Sequence, residues 1–187
     1  MIIALTGHKR AGKDTVGIHL ASEYDFQPVR FAGKIKEICR ILFGWGPARL
    51  ETDMKEEVDP KWGISPREAM QYLGDVMKSE YIGAAYPEFN CINGNAFWAR
   101  SLEQQIESMT GDIVVTDMRF PDEYDMLRNH GAIFIRIIRP GHYSEDAHWS
   151  EAFIDDFRVD YNLINDGTIG DLYDNVGIIM QDIAKQR

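Results

Sequence analysis

The chain has 187 residues, of which 44% are hydrophobic, and its formal net charge is −10. This composition predicts a chain folded from end to end and excludes low-complexity and disordered proteins. No apolar run is long enough to cross a bilayer, and Met1 leads directly into an apolar segment, so neither a membrane protein nor a signal peptide is expected. The acidic balance argues against a nucleic-acid polymer as partner and favours a small anion held in a local basic pocket.

The two cysteines, Cys39 and Cys91, have no CxxC spacing and no adjacent histidine. They predict neither a disulfide scaffold nor a zinc site, and each is expected to be a small buried apolar residue. The cytoplasm is the natural compartment for such a chain.

The chain begins with a short apolar run, residues 2–5, which predicts a strand buried on both faces. Two glycines and a lysine then follow with the Walker A spacing. The glycines permit a tight turn that points backbone N–H groups at a polyphosphate, and the next helix directs its positive dipole end at the same anion. The alternative is an ordinary glycine-rich turn. The predicted triphosphate site comprises Gly7, Lys9, Arg10, Ala11, Gly12, Lys13, Asp14 and Thr15.

The residue after Lys13 departs from the common motif, which has a hydroxyl there. Asp14 occupies this position, and the hydroxyl of Thr15 comes one place later. A carboxylate can hold Mg²⁺ directly or through water, so both residues are candidate ligands.

The middle of the chain predicts a strand over 27–32, a helix over 35–43, an irregular segment over 44–63 and two more helices. Lys34 lies where the first of these helices begins, and phosphate binding and solvated surface charge are equally good interpretations. Ser65 to Glu68 form a strong helix start, and Arg67 and Gln71 lie off the apolar stripe of that helix, facing a cleft or water. A helix over 96–109 carries Trp98 near its start, where the ring either lines a site or packs in the core.

A second apolar strand, residues 113–117, carries Asp117 at its carboxyl end. In a parallel sheet this end lies at the same edge as the predicted triphosphate site from Gly7 to Thr15, which we call the phosphate loop. Ligands of open α/β sheets bind at that edge. Asp117 is therefore interpreted as a Walker B acid that holds Mg²⁺ or its waters, and Arg119 is expected to point into the same cleft.

The last third of the chain alternates again between helix and strand. A helix from Pro121 to near Gly131 precedes a strand over 132–138. Residues 139–158 interrupt the alternation, as a lid over an active site would, although a surface loop without function is the alternative. A strand over 161–164, a turn and a helix from Thr168 complete the chain.

Motifs along almost the whole chain, taken together, resemble the phage-type deoxynucleoside monophosphate kinases of the P-loop kinase superfamily. The most specific are GHKRAGKDT, VVTDMRFPDE and the final NDGT, supported by SPREAMQYLGD and IRIIRPG. One stretch departs from the family, because this chain reads FAGKIKE where the family often reads FADPLK.

The resemblance implies an α/β fold of the P-loop kinase type, a three-layer α/β/α domain with a five-stranded parallel sheet, an inserted helical substrate-binding region and a lid. The single domain, 1–187, would have a core of 1–43 and 111–187, a helical region of about 44–110 and a lid of about 139–158. It also implies ATP with Mg²⁺ as the donor and a deoxynucleoside 5′-monophosphate (dNMP) as the acceptor.

Residue roles follow from the same resemblance. Arg10 and Lys13 would contact the transferring phosphate, Arg119 would bind phosphate or act in catalysis, and Arg139 would belong to the lid. The catalytic set is Lys13, Arg10, Asp14 and Arg119, and the ATP set is the loop with Arg139. The substrate set is Lys34, Arg67, Gln71, Trp98, Asp117 and Arg119, and the metal set is Asp14, Thr15 and Asp117.

We therefore expect transfer of a phosphoryl group from ATP to a dNMP, giving dNDP and ADP. The alternatives are a phosphomevalonate-type or dephospho-CoA-type kinase and, in another class, a regulatory module that binds ATP without transferring phosphate. The expected partners are small nucleotides, with no nucleic-acid polymer and no membrane. The oligomeric state is not readable, and a homodimer is the default expectation.

Overall fold

The computed structural model describes residues 1–78, 96–141 and 152–186. Its five strands are β1 (Ile2–Thr6), β2 (Gln27–Val29), β3 (Ile113–Val115), β4 (Ile133–Ile138) and β5 (Tyr161–Ile164). The described helices are α1 (Lys13–Tyr24), α2 (Gly33–Phe43), α3 (Pro47–Glu51), α4 (Pro66–Lys78), α5 (Ala96–Ser108), α6 (Pro121–Asn129) and α7 (Ile169–Lys185), with a short 3₁₀ helix at Asp53–Glu56.

The strands form one sheet in the order β2-β3-β1-β4-β5, and every neighbouring pair is parallel. The predicted α/β class with a five-stranded parallel sheet is therefore confirmed. Because all strands run the same way, their carboxyl ends share one edge, which we call the carboxyl edge. The segments that begin at Gly7, Arg30, Thr116, Arg139 and Asn165 all leave this edge.

The main core lies on the central strand β1 and its neighbours. Ile3 and Leu5 of β1 pack with Val16 and Leu20 of α1, with β4 and β5, and with α7 along its buried face. This face of α7 consists of Leu172, Val176, Ile179, Met180 and Ile183. The apolar residues spaced along α1 and α7 thus cover the sheet, as their helical periodicity predicted.

The chain divides into two compact units: Met1–Arg30 with Leu102–Arg187, and Phe31–Ser101. The first contains the sheet, and the second, which we call the helical unit, contains α2, α3 and α4. A separate cluster of buried residues, Cys39, Trp45, Leu50 and Ala69, forms the interior of the helical unit. The predicted burial of Cys39 is confirmed, and Cys91 lies outside the described residues.

Two strands are shorter than their sequence patterns predicted. β2 ends at Val29, although the pattern extended to 32, because its partner β3 ends at the paired residue Val115. β3 likewise stops before Thr116 and Asp117, although the pattern extended to 117. Both polar residues therefore lie in the segment that leaves the carboxyl edge.

Among the described residues, no helix combines the length and the apolar character needed to cross a membrane.

Candidate active site

The segment between β1 and α1 is a tight loop at the carboxyl edge. Gly7 has φ 142° and Gly12 has φ 110°, both in the region that favours glycine. A Cβ atom at Gly7 would collide with the carbonyl oxygen of Ile137 in β4, and one at Gly12 would lie 2.7 Å from the Asn165 amide nitrogen. The loop therefore requires glycine both for its backbone conformation and because neighbouring segments approach it closely.

The side chain of Lys13 folds back across this loop. Its Nζ donates hydrogen bonds to the carbonyl oxygens of Gly7 at 2.5 Å and His8 at 2.8 Å, and the residue is only 8% exposed. Lys9 and Arg10 of the same loop are exposed, and Arg10 has φ 66°. The structure thus brings the three predicted loop cations to one short segment, with Lys13 inside it and the other two at its surface.

Asp14, in the first turn of α1, is bound by an arginine that follows β2. Arg30 Nη2 donates to Asp14 Oδ1 at 2.8 Å, and Arg30 Nε donates to the hydroxyl of Thr116 at 3.1 Å. Arg30 therefore connects the segments that follow β2 and β3 to the phosphate loop. It uses only one carboxylate oxygen of Asp14, whose side chain is 74% exposed.

Two residues beyond β4 hold the backbone of the loop from its other side. Asn165 Nδ2 donates to the carbonyl oxygen of Ala11 at 2.8 Å, and Arg139 Nη1 donates to that of Arg10 at 3.4 Å. Both bonds occupy carbonyl oxygens of the loop, and the Ala11 N–H donates within the loop to the His8 carbonyl oxygen at 3.1 Å. The backbone N–H groups of such a turn are the part suited to an anion.

The segment after β3 places Asp117 and Arg119, both partly buried, at the same edge. The hydroxyl of Thr6 in β1 donates to the carbonyl oxygen of Met118 at 3.4 Å. The buried carboxylate of Glu123 accepts from the backbone N–H of Arg119 at 2.7 Å and from that of Phe120 at 3.1 Å. Glu123 thereby caps the start of α6 and fixes the backbone that carries Arg119.

Residues at the end of the predicted lid also contact the phosphate loop. His8 Nε2 lies 3.2 Å from the carboxylate of Asp155. Arg136 in β4 holds this segment, since its Nη2 donates to the carbonyl oxygens of Ile154 at 3.0 Å and Asp155 at 3.2 Å and to that of Phe157. Residues 142–151, the middle half of the predicted lid, lie outside the described residues.

Four predicted substrate residues lie in the helical unit. Lys34 donates to the carbonyl oxygen of Ser101 at 2.7 Å, and Arg67 donates to Glu56 at 2.8 and 3.1 Å. Gln71 is exposed, whereas Trp98 is buried and its indole N–H donates to the carbonyl oxygen of Gly74 at 3.2 Å. Of the two interpretations of Trp98, its burial favours core packing. The substrate roles of the other three stay predictions.

The candidate metal ligands Asp14, Thr15 and Asp117 all offer oxygen atoms, which is the ligand type that Mg²⁺ prefers. Asp14 lies in the first turn of α1 with an exposed side chain, and the bond from Arg30 goes to its Oδ1. This donor chemistry fits a magnesium ion bound together with nucleotide phosphates.

Sequence reasoning missed several residues of this site. Arg30, Glu123, Arg136 and His8 belong to none of the predicted residue sets. Asn165 belonged to the NDGT motif, which was a signal without an assigned contact. Arg30, Arg136, His8 and Asn165 act through partners distant in the chain, which no local pattern shows, whereas the contact of Glu123 with the N–H of Phe120 is a local capping signal three residues apart.

Comparison with known proteins identifies the family of this chain. A family model described as deoxynucleotide monophosphate kinase matches residues 53–176. A protein of Acanthamoeba polyphaga mimivirus that carries the same assignment is 30% identical over 186 residues, which cover 94% of each chain. The chain belongs to the deoxynucleotide monophosphate kinase family.

A further family member, the deoxynucleotide monophosphate kinase of Enterobacteria phage T4, is 22% identical over 234 residues, covering 94% of this chain and 96% of the phage protein. Among solved structures, a dephospho-CoA kinase from Campylobacter jejuni has a TM-score of 0.51 at 17% identity, covering 99% of this chain and 98% of the other. That likeness concerns the fold alone. The predicted resemblance and the prediction of a nucleotide kinase with a P-loop kinase fold are confirmed.

Proposed function

We propose that this deoxynucleotide monophosphate kinase binds ATP at the loop from Gly7 to Thr15 and transfers its γ-phosphoryl group to a deoxynucleoside 5′-monophosphate. The observation that carries this proposal is the loop itself. A glycine-bracketed turn leads from the central strand into α1, and it encloses the ammonium group of Lys13. Such a loop offers backbone N–H groups, a helix dipole and a buried cation to one polyphosphate.

In the proposed reaction, an oxygen of the acceptor's α-phosphate attacks the γ-phosphorus of ATP. The new P–O bond forms as the bond between the γ-phosphorus and the bridging oxygen breaks, and ADP leaves with that oxygen. The acceptor phosphate is already ionised at neutral pH, since its second pKa is about 6. No strong general base is needed, so catalysis rests on positioning and charge neutralisation.

The residues at the carboxyl edge have different roles in the proposed reaction. Lys13 and Arg10 neutralise the transferring phosphoryl group, Arg119 stabilises it from the segment after β3, and Arg139 contacts the ATP phosphates. Arg30 positions Asp14. A Mg²⁺ ion, when bound, supplies charge neutralisation on the ATP phosphates, and Asp14, Thr15 and Asp117 are the residues that would hold it or its waters.

An acceptor screen with an ADP-release assay tests this proposal. The acceptors are dAMP, dCMP, dGMP, dTMP, phosphomevalonate and dephospho-CoA, each measured with Mg²⁺ and with a chelator. We expect Mg²⁺-dependent ADP release with at least one dNMP and a rate near the ATP hydrolysis background with phosphomevalonate and with dephospho-CoA.

Fast turnover of phosphomevalonate or dephospho-CoA alone would contradict the proposed acceptor. Slow turnover with every acceptor, together with tight ATP binding, would instead favour the regulatory module. Activity that persists in the chelator would contradict only the metal assignment.

A further inference from the structure

Two glutamates and a histidine outside the active site converge in the first unit. Glu103 and Glu107 lie one turn apart on α5, and His130 immediately follows α6. One side-chain atom from each residue lies within 4.8 Å of the other two. We call these residues the Glu103–Glu107–His130 cluster.

The imidazole ring of His130 is oriented by the end of its own helix. Its Nδ1 lies 3.0 Å from the carbonyl oxygen of Met126. A carbonyl oxygen can only accept a hydrogen bond, so Nδ1 must carry a proton. In the neutral ring the lone pair is therefore on Nε2. A histidine ligand that donates its other nitrogen to a backbone carbonyl is the arrangement typical of protein metal sites.

The atom that faces Nε2 is also an acceptor. Glu103 Oε1 lies 3.8 Å from His130 Nε2, which is beyond the usual hydrogen-bond range of about 3.2 Å. Two ligands of a tetrahedral ion with bond lengths of about 2.0–2.1 Å lie about 3.4 Å apart. The separation is thus closer to that of two atoms sharing a cation than to that of a direct hydrogen bond.

The local charge also favours a cation. Within residues 1–78, 96–141 and 152–186, no lysine or arginine forms an ion pair with Glu103 or Glu107. The last turn of α5 contains no basic residue. Since the carboxyl end of a helix carries a partial negative charge, both glutamates add to a negative potential already present there.

The cluster lies at the opposite edge of the sheet from the active site. α5 leads into the amino end of β3, and α6 leads into the amino end of β4, the two strands that flank β1. The phosphate loop follows the carboxyl end of β1. The five residues of β1 span about 16 Å at about 3.3 Å per residue, so an ion at the cluster would be too far away to contact the nucleotide phosphates.

We propose that the Glu103–Glu107–His130 cluster binds one Zn²⁺ ion, or a similar first-row transition ion, and that this ion joins the end of α5 to the end of α6. One imidazole nitrogen and two carboxylate oxygens suit such an ion better than Mg²⁺, which prefers oxygen ligands only. The three side chains leave at least one coordination position for water.

The test uses the full chain, freed of metal with a chelator and then titrated with Zn²⁺ in millimolar Mg²⁺ against a chromophoric competitor. The variants are Glu103→Gln, Glu107→Gln and His130→Asn, of which the last retains a donor for the Met126 carbonyl but lacks Nε2. Glu23→Gln, an exposed glutamate on α1, is the matched control. Co²⁺ absorption, thermal stability and kinase activity are measured on the same proteins.

We expect the wild-type chain and Glu23→Gln to bind one equivalent of Zn²⁺. Each cluster variant should bind this ion at least about tenfold more weakly than the wild type. A hundredfold excess over Kd should raise Tm by about 5 °C in the wild type but not in the variants. Kinase activity in Mg²⁺ should be the same in all, which separates this site from the proposed active site. If Zn²⁺ binds the wild type and all three variants equally, or does not bind the wild type, the proposal is wrong and the cluster is a histidine–glutamate ion pair.

Discussion

Three cations belong to the phosphate loop, but the structure gives them unequal positions. Lys13 is buried and bonded to two loop carbonyls, whereas Lys9 and Arg10 are exposed. A buried ammonium group is weakly screened and already oriented, so its charge acts strongly on a bound phosphate. Lys13 should therefore matter most for the rate of phosphoryl transfer.

Replacing Lys13 by methionine should lower kcat/KM by at least about 10²–10³-fold, the usual cost of removing one oriented charge-stabilising group. The ADP-release assay measures the loss, and circular dichroism verifies the fold. Lys185→Met, an exposed lysine at the end of α7, removes the same charge and should retain activity. Near-normal activity in Lys13→Met would show that this loop is not the catalytic one.

Arg30 holds the carboxylate of Asp14 in position at the start of α1. Its guanidinium binds Asp14 and Thr116 through two different nitrogens, a geometry that a single lysine ammonium does not reproduce. Arg30→Lys should lower kcat by about tenfold to a hundredfold, because small misplacements of catalytic groups have effects of this size. Tm should change little, since the pair is partly exposed.

The matched control is Arg40→Lys, which alters an arginine–glutamate pair within α2. Kinetics over a range of Mg²⁺ concentrations adds a second measurement, because a freed Asp14 should change the Mg²⁺ dependence of the rate. Equal kcat values for Arg30→Lys and the wild type would exclude the positioning role.

Capping boxes mark the starts of two helices, α4 and α7. Ser65 and Glu68 form the predicted capping box at α4, in which Glu68 accepts from the Ser65 N–H at 2.8 Å and its hydroxyl at 2.9 Å. Thr168 and Asp171 form an equivalent box at α7. The two partners of each box are three residues apart, so the sequence alone specifies the contact.

These bonds give the α4 capping box a pH dependence. The backbone N–H and then the hydroxyl of Ser65 lower the pKa of Glu68. Because the folded pKa lies below the unfolded value of about 4.3, the contribution to stability is complete above that pH and is lost as the pH falls through the folded pKa. The Tm difference between the wild type and Glu68→Gln should therefore be larger at pH 7 than at pH 3.

Thermal unfolding across this pH range measures the difference. Asp75→Asn, which changes an exposed carboxylate on the same helix outside the capping box, is the control variant. A Glu68→Gln difference that stays constant from pH 7 to pH 3 would contradict the capping role.

The segment over 44–63, before α4, is held together by contacts that local sequence signals do not predict. Asp59 accepts from the indole N–H of Trp45 at 2.8 Å, from Arg49 at 2.7 Å and from the N–H of Lys61 at 2.9 Å. The Trp45 bond is the largest of the effects that lower the pKa of Asp59. The sequence indicated an irregular segment over 44–63, whereas the structure forms α3 and the 3₁₀ helix there, and it did not indicate that an aspartate would hold the segment together.

At the scale of the whole molecule, the charge is unevenly distributed. The chain carries a net charge of −10, yet Lys9, Arg10, Lys13 and Arg30 lie in or next to the phosphate loop. The electrostatic potential at the loop is therefore positive enough to attract a small polyphosphate although the protein is acidic. A long polyanion would also be repelled by the negatively charged rest of the surface. This distribution favours nucleotides over nucleic-acid polymers as ligands.

We accordingly expect binding to short duplex DNA at physiological salt to be weaker than a Kd of about 10⁻⁴ M, the weak end of non-specific binding. Fluorescence anisotropy of a labelled duplex tests this expectation, with a fluorescent ATP analogue as the positive control. A salt-dependent complex at micromolar protein would overturn it.

From the sequence alone, the order of the five strands and of the longer helices along the chain, the glycine-bracketed loop, the cap of α4 and the family could be predicted. These features depend on residues close together in the chain or on the alternation of apolar and polar positions. The contacts that join Arg30 to Asp14, Asn165 to Ala11 and His130 to Glu103 are visible only in the folded structure. The physical reason is that parallel strands are joined by long crossovers, so side chains at one edge of the sheet come from segments far apart in the chain. Their contacts depend on strand order and register, which no single segment encodes.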